Sequence, residues 1–359
     1  MNYLFLGLLL VLTVRPACRA EKVVPAVADT FYPADSKLIQ YVGRIDFKDP
    51  KKPRFWAPGV CITVRFQGPG CEVLLEDELL WGKNHNYIGL ILDGKPTRRQ
   101  LSAKTNTLRI GGNLADTGHT LVICKNTESN IGYLEFQGIR CRKLLPPPPK
   151  PARKIEFVGN SITCGTGADQ SVVPCGQGQW HDQHNAYLAY GPSVARTLNA
   201  QWHLTAASGI GLMHSCCEMK VVMPQVFDKI SLSNNTLAWD FRQYQPDVVT
   251  VCLGQNDGIQ DSATFCRNYV RFLQTVRSHY PQADIVCLTS PMGDARLTAA
   301  LKNYLTGVVN AATSQGDRKV HKFFFAGRYV GGCDSHPSLA EHQFIAAELS
   351  AYLKTITRW

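Results

Sequence analysis

Charge is sparse in this chain, and one sign is scarcer than the other. Of its 359 residues 18% are charged, with 28 Asp and Glu against 38 Lys and Arg. Together with a hydrophobic content of 45%, this is a globular balance that excludes an extended disordered chain. Long apolar runs are missing as well. The one pronounced stretch, Tyr3 to Val14, is too short to span a bilayer comfortably. No two of the 13 cysteines have the Cys-x-x-Cys spacing, which excludes a zinc ribbon and a dithiol redox motif. No helical pattern stands out before residue 144.

What is there begins with that apolar stretch. Arg15, Pro16 and the small residues Ala17 and Ala20 follow it, so residues 1–20 read as a secretory signal. A retained membrane anchor is the alternative, because no Lys or Arg precedes the run. The expected location is secreted or periplasmic, with no membrane span after cleavage. Cleavage after Ala20 removes two arginines, which takes the formal charge from +10 to +8. Lys and Arg are scattered, and the dense patch from Arg140 to Lys154 coincides with a proline-rich segment. The basic balance therefore points to a solvated surface with some attraction to acidic polymers, and no nucleic-acid partner is expected. Twelve cysteines would remain, a number compatible with disulfides. Cys61, Cys252 and Cys287 lie in apolar strand patterns and read as core thiols. Cys71 with Cys124 or Cys141, and Cys164 with Cys175, are candidate bridges, while the adjacent Cys216 and Cys217 are expected in separate environments.

The run Pro146-Pro147-Pro148-Pro149-Lys150-Pro151 divides the chain. Consecutive prolines favour an extended spacer and forbid helix. A linker is expected over residues 145–152, between an N-terminal domain at 21–144 and a second domain at 153–359. In the first, Val60, Ile62, Val64 and Phe66 alternate with polar or small residues, and Gly68-Pro69-Gly70 predicts a turn into a new strand at Glu72 to Leu75. Tyr87 to Leu92 runs into Asp93-Gly94, a hairpin signal. Short strands at such intervals predict an all-β sandwich or jelly roll. After the linker, short apolar strands at 155–158, 202–206, 248–253, 285–288 and 322–325 are separated by helical patterns. That alternation predicts a parallel sheet covered on both faces.

Ligands of such sheets bind beyond the carboxyl ends of the strands. Four stretches converge on that rim: Gly159-Asn160-Ser161, Ser208-Gly209, Gly254-Gln255-Asn256-Asp257 and Asp334-Ser335-His336. A serine hydroxyl needs a base, which His336 would provide, and the imidazole needs orienting, for which Asp334 is the nearest carboxylate. The amides of Ser161 and Gly209 and the carboxamide of Asn256 are candidate oxyanion donors, with Gly211 the competitor of Gly209. Ser161 does not sit in a Gly-x-Ser-x-Gly elbow. His181-Asp182-Gln183-His184 lacks an evident third ligand and reads as a polar loop, so no metal is expected. Trp180 and Trp239 are candidates for stacking on a sugar face, with burial in the core as the alternative. The long stretch from Gly165 to Gln183 directly follows the serine and is expected to shape specificity.

The order of these blocks resembles the SGNH (GDSL-like) hydrolases, with Gly159-Asn160-Ser161-Ile162-Thr163 where that family has its Gly-Asp-Ser block. An N-terminal β-domain in front of them is similar to carbohydrate esterase family 2, the acetylxylan esterase-type deacetylases. The resemblance implies a jelly roll on a flavodoxin-like α/β/α domain, no cofactor, and removal of O-acetyl groups from an acetylated polysaccharide or oligosaccharide such as xylan or glucomannan. A non-catalytic carbohydrate-binding protein, or a lipase or thioesterase of the same fold, is the alternative. Two departures stand out. Asn160 replaces the aspartate before the serine, and the position three before the histidine, where the family has its acid, is Cys333, with Asp334 only two away. The resemblance leaves open whether Asp334 completes a triad or whether a Ser-His dyad is steered by backbone carbonyls.

Overall fold

The computed structural model describes residues 29–233 and 236–359. The expected secretory signal lies outside them. Among the described residues, no helix is long and apolar enough to cross a membrane.

Among the described residues the N-terminal half is a nine-stranded, wholly antiparallel sheet. Its spine is one strand, Cys61–Asp77, which alternates buried and partly exposed residues along its length. The expected turn at Gly68-Pro69-Gly70 is instead a bend within this strand. Gly68 takes φ 128°, and the pairing with Leu134–Leu145 slips between Gln67 and Cys71. Pro69 offers no N–H, but its carbonyl accepts the amides of Gly112 and Leu114, so the chain kinks without ending the ladder. The bend lets the first half pair with Gly118–Lys125 and the second with Thr105–Gly111. Asp93 (φ 48°) and Gly94 (φ 80°) form the two-residue hairpin loop between Tyr87–Leu92 and Lys95–Gln100.

The strand Leu134–Leu145 runs to the edge of the prolines, and the next strand, Arg153–Gly159, opens a five-stranded parallel sheet. In space the order is Ala200–Ala206, Arg153–Gly159, Val248–Val251, Asp284–Leu288, Val320–Phe323. This is the 2-1-3-4-5 order of a doubly wound sheet. Alternate strand residues supply two cores. Val158, Val249, Val251 and Ile285 pack with Phe265, Tyr269 and Leu301 from the helices Ser262–His279 and Ala295–Ser314. Phe157, Val248 and Val286 pack with Val194 and Leu349 from Tyr190–Thr197 and Leu339–Thr357 on the opposite face. The three long helices start on side-chain caps: Asp261, Asp294, and a capping box of Ser338 with Glu341.

The two halves are joined by a buried ion pair. Arg44 donates to Glu156 at 2.6 Å, and both side chains are fully buried. The strand order reverses between Arg153–Gly159 and Val248–Val251, so the crevice beyond these strands is where the fold places a ligand.

Candidate active site

Ser161 stands just past the reversal point. The strand stops at Gly159, where an added Cβ would lie 2.0 Å from Thr163 Oγ1. Asn160 then caps the short helix Ser161–Cys164, its Oδ1 accepting the Ile162 amide at 3.2 Å. A neutral carboxamide thus serves where the family pattern has aspartate. Ser161 occupies the first helical position, whose amide has no intrahelical partner.

His336 lies across the cleft, in the segment leading into Leu339–Thr357. Its Nε2 is 2.9 Å from Ser161 Oγ, and its Nδ1 is 3.1 Å from the backbone carbonyl of Asp334. A carbonyl can only accept, so Nδ1 carries the proton and the Nε2 lone pair faces the serine hydroxyl. The expected carboxylate at Nδ1 is not there. Asp334 adopts φ 51°, ψ 38°, is exposed to solvent and turns its own carbonyl to the ring. Burial, helped by the nearby His184, holds the His336 imidazole below its ordinary pKa of 6.5, which keeps the ring neutral and its Nε2 lone pair free near neutral pH.

The two further blocks close the site. Gly209 takes φ 82°, with Cys216 Sγ 3.2 Å from where its Cβ would be. Asn256 donates through Nδ2 to Ile210 O at 2.8 Å, which orients the carboxamide and leaves it a second N–H. Both residues line a cleft of about 510 Å³ together with Ser161 and His336. Gly211 is a packing residue: an added Cβ would lie 1.9 Å from His214 O. Asp257 braces this loop by accepting the amides of Leu212, Met213 and His214 at 2.6–3.0 Å.

The β-domain contributes to the same cleft. Asn130 lines it, Glu128 reaches Ser208, and Arg98 donates to the carbonyls of His184 and Asp182 while stacking on Tyr87 at 4.0 Å. These residues escaped the sequence reading. The signal was the uninterrupted polar run from Lys125 to Asn130, which looks like a solvated loop but is buried from Lys125 to Ser129 beneath the second domain. Arg98 and Asp169 hold the 165–185 loop down, with Asp169 accepting from Asn185 Nδ2 at 2.7 Å. His184 points its Nε2 at Glu128, 3.2 Å away. Trp180 is half exposed, lines the cleft and meets His184 edge-on at 4.6 Å, whereas Trp239 is buried in the core.

The cysteine pairing differs from expectation. Cys175 pairs with Cys333, because Cys164 turns inward behind the serine while the long loop crosses to the histidine segment. Cys216 and Cys217 are bonded to each other at a turn where both Cys217 and Glu218 take positive φ. Cys71 faces Cys141, and Cys61 faces Cys124, across paired strands, yet all four are buried thiols.

A hydrogen-bonded Ser161–His336 pair at the switch point of a doubly wound sheet is the arrangement of the SGNH-type hydrolases. Family models agree. The GDSL-like lipase/acylhydrolase family matches residues 157–326, and the carbohydrate esterase 2 N-terminal domain matches residues 41–148. A family two carbohydrate esterase from Clostridium thermocellum, solved with cellohexaose, superposes with a TM-score of 0.79 at 33% identity, covering 89% of this chain and 99% of that one. Another from Cellvibrio japonicus superposes with a TM-score of 0.83 at 26% identity, covering 92% and 99%. This chain belongs to carbohydrate esterase family 2. It is 34% identical to the cellulase/esterase CelE of Acetivibrio thermocellus over 90% of its own length, but spans only 40% of that protein. It is also 29% identical, over 91% of both chains, to an acetylxylan esterase/glucomannan deacetylase of Cellvibrio japonicus.

Proposed function

We propose that this chain is a serine esterase that removes O-acetyl groups from plant polysaccharides of the xylan or glucomannan type. The observation that carries the reading is the 2.9 Å contact between Ser161 Oγ and His336 Nε2 in a cleft walled by Gly209 and Asn256. Ser161 attacks the acetyl carbonyl as its proton passes to Nε2. The oxyanion takes hydrogen bonds from the amides of Ser161 and Gly209 and from Asn256 Nδ2. Collapse returns the proton to the departing sugar oxygen, and water repeats the cycle to release acetate. Asp334 acts through its carbonyl, so the catalytic unit is a dyad.

The glycan substrate is supported by the names of the relatives and by the half-exposed Trp180 at the cleft. We read the antiparallel domain as a jelly roll, with the linker at 145–152 separating it from a catalytic domain that starts at residue 153. The Cys175–Cys333 bridge supports an oxidising, extracytoplasmic location.

The Ser161→Ala variant tests the reading. Its kcat on p-nitrophenyl acetate and its acetate release from acetylated xylan and glucomannan should fall by roughly 10⁴-fold or more, with thermal unfolding unchanged. Turnover within ten-fold of wild type would refute it.

A further inference from the structure

Ser161, Gly209, Asn256 and His336 all come from the α/β domain, yet the loop that carries Gly209 is gripped from the β-domain. Glu128 follows the strand Gly118–Lys125 and is fully buried. Its Oε2 accepts the Ser208 amide at 2.6 Å, and its Oε1 accepts both the Ser208 hydroxyl and, at 3.2 Å, His184 Nε2. The Ser208 hydroxyl also meets Thr166 Oγ1 at 2.7 Å. Lys125 Nζ steadies the segment by donating to the carbonyls of Thr127 and Glu128 at 2.7 and 3.1 Å.

A buried carboxylate is costly unless several donors satisfy it, and a tether between domains does not require one. The Arg44–Glu156 pair and the Arg98 bonds already provide that tether. Glu128 differs in where it grips. Two charge-assisted bonds to one residue fix its backbone nitrogen and its side chain together. Only the ψ torsion of Ser208 then separates the clamp from the Gly209 N–H.

We infer that Glu128 is a positioning residue of the esterase reaction: a carboxylate lent by the β-domain that sets Ser208 and so aims the Gly209 amide at the oxyanion. The inference rests on the reading of Gly209 as an oxyanion donor. It makes the accessory domain a part of the anion hole, in addition to any role in holding polymer.

The test is E128Q in the full chain, which keeps the shape but removes the charge and leaves one acceptor where there were two, so that the Ser208 amide and hydroxyl can no longer both donate to it. On p-nitrophenyl acetate kcat should fall roughly ten- to a hundred-fold, short of or equal to losing a whole oxyanion donor, while KM stays within about two-fold. The inhibition constant of a simple alkylboronic acid, a tetrahedral mimic, should rise by the same factor. A residue that only joins the domains would not separate kcat from KM or single out the tetrahedral mimic. If E128Q does not fold, S208A, which removes the hydroxyl's bonds to Glu128 and Thr166 but keeps the amide's bond to Glu128, should cost about two- to ten-fold in kcat with the same pattern. Folded E128Q with wild-type kcat and boronate affinity overturns the inference, as does a loss shared equally by KM. A wild-type chain without turnover would instead overturn the esterase reading beneath it.

Discussion

At the scale of single residues, the chemistry turns on which atom steers His336. A carbonyl at Nδ1 fixes the tautomer as well as a carboxylate does, but it gives less stabilisation to the imidazolium that forms in the transition state. The Asp334 carboxylate acts on the ring only at a distance, where it raises the pKa slightly against the dominant effect of burial. D334N is therefore expected to keep kcat/KM within about ten-fold of wild type, where the same change in a true triad acid costs about 10⁴-fold. Asparagine tolerates the left-handed backbone that Asp334 adopts, so the carbonyl stays in place. Removing the negative charge lowers the pKa of His336 further, so the acid limb of the kcat/KM profile should move to lower pH from a starting point below 6.5. Initial rates across a pH series check both statements. The approach of His336 to Ser161 was legible in the sequence because both side chains announce their chemistry and both follow strand ends. The steering group stayed open between the Asp334 carboxylate and a backbone carbonyl, because a carbonyl has no residue type to mark it.

At the scale of elements, the site is a set of loops that rigid strands deliver to one rim, and its precision depends on what ties the loops together. The strand-end positions follow from apolar runs and could be read directly. The ties could not, because they join residues remote in sequence. Cys175 and Cys333 are separated by 158 residues, and no spacing rule selects that pair over Cys164 with Cys175. The bridge links the loop after Ser161 to the residue immediately before Asp334, and the Cys333 amide also donates to Gly167 O at 2.8 Å. The loops that carry Ser161 and His336 are thus stitched both covalently and by hydrogen bond. The double variant C175S/C333S should lose about 2–4 kcal/mol of stability through the freed unfolded chain. It should also lose kcat, as the Asp334 carbonyl and the ring it holds gain freedom. Denaturant unfolding and p-nitrophenyl acetate kinetics on the same preparation measure the two losses. Unchanged kinetics in a destabilised variant would assign the bridge to stability alone.

At the scale of the whole molecule, two domains that read as separate units share buried charge. Arg44 sits between the rings of Phe227, Trp239 and Phe241, each centroid within 5.6 Å, and donates to Glu156 and to the carbonyls of Phe227 and Lys229. Glu156 in turn accepts from Thr205 and Tyr280. In the sequence, Arg44 is one basic residue among scattered others, and Glu156 is a lone acid in an apolar strand. Their meaning appears only when the β-domain docks. Removing the arginine alone strands a carboxylate on the central sheet, and R44M should therefore destabilise the protein by about 3–5 kcal/mol in denaturant unfolding. Replacing both partners removes the stranded charge, so R44M/E156Q should recover part of that loss, whereas a simple packing defect would leave the double variant no better than R44M. Because the same interface presents Glu128 to Ser208, R44M protein that is still folded should also show reduced kcat. A loss of kcat in folded R44M is the outcome expected if the Gly209 loop depends on the β-domain being seated, and unchanged kcat would separate the ion pair from the site.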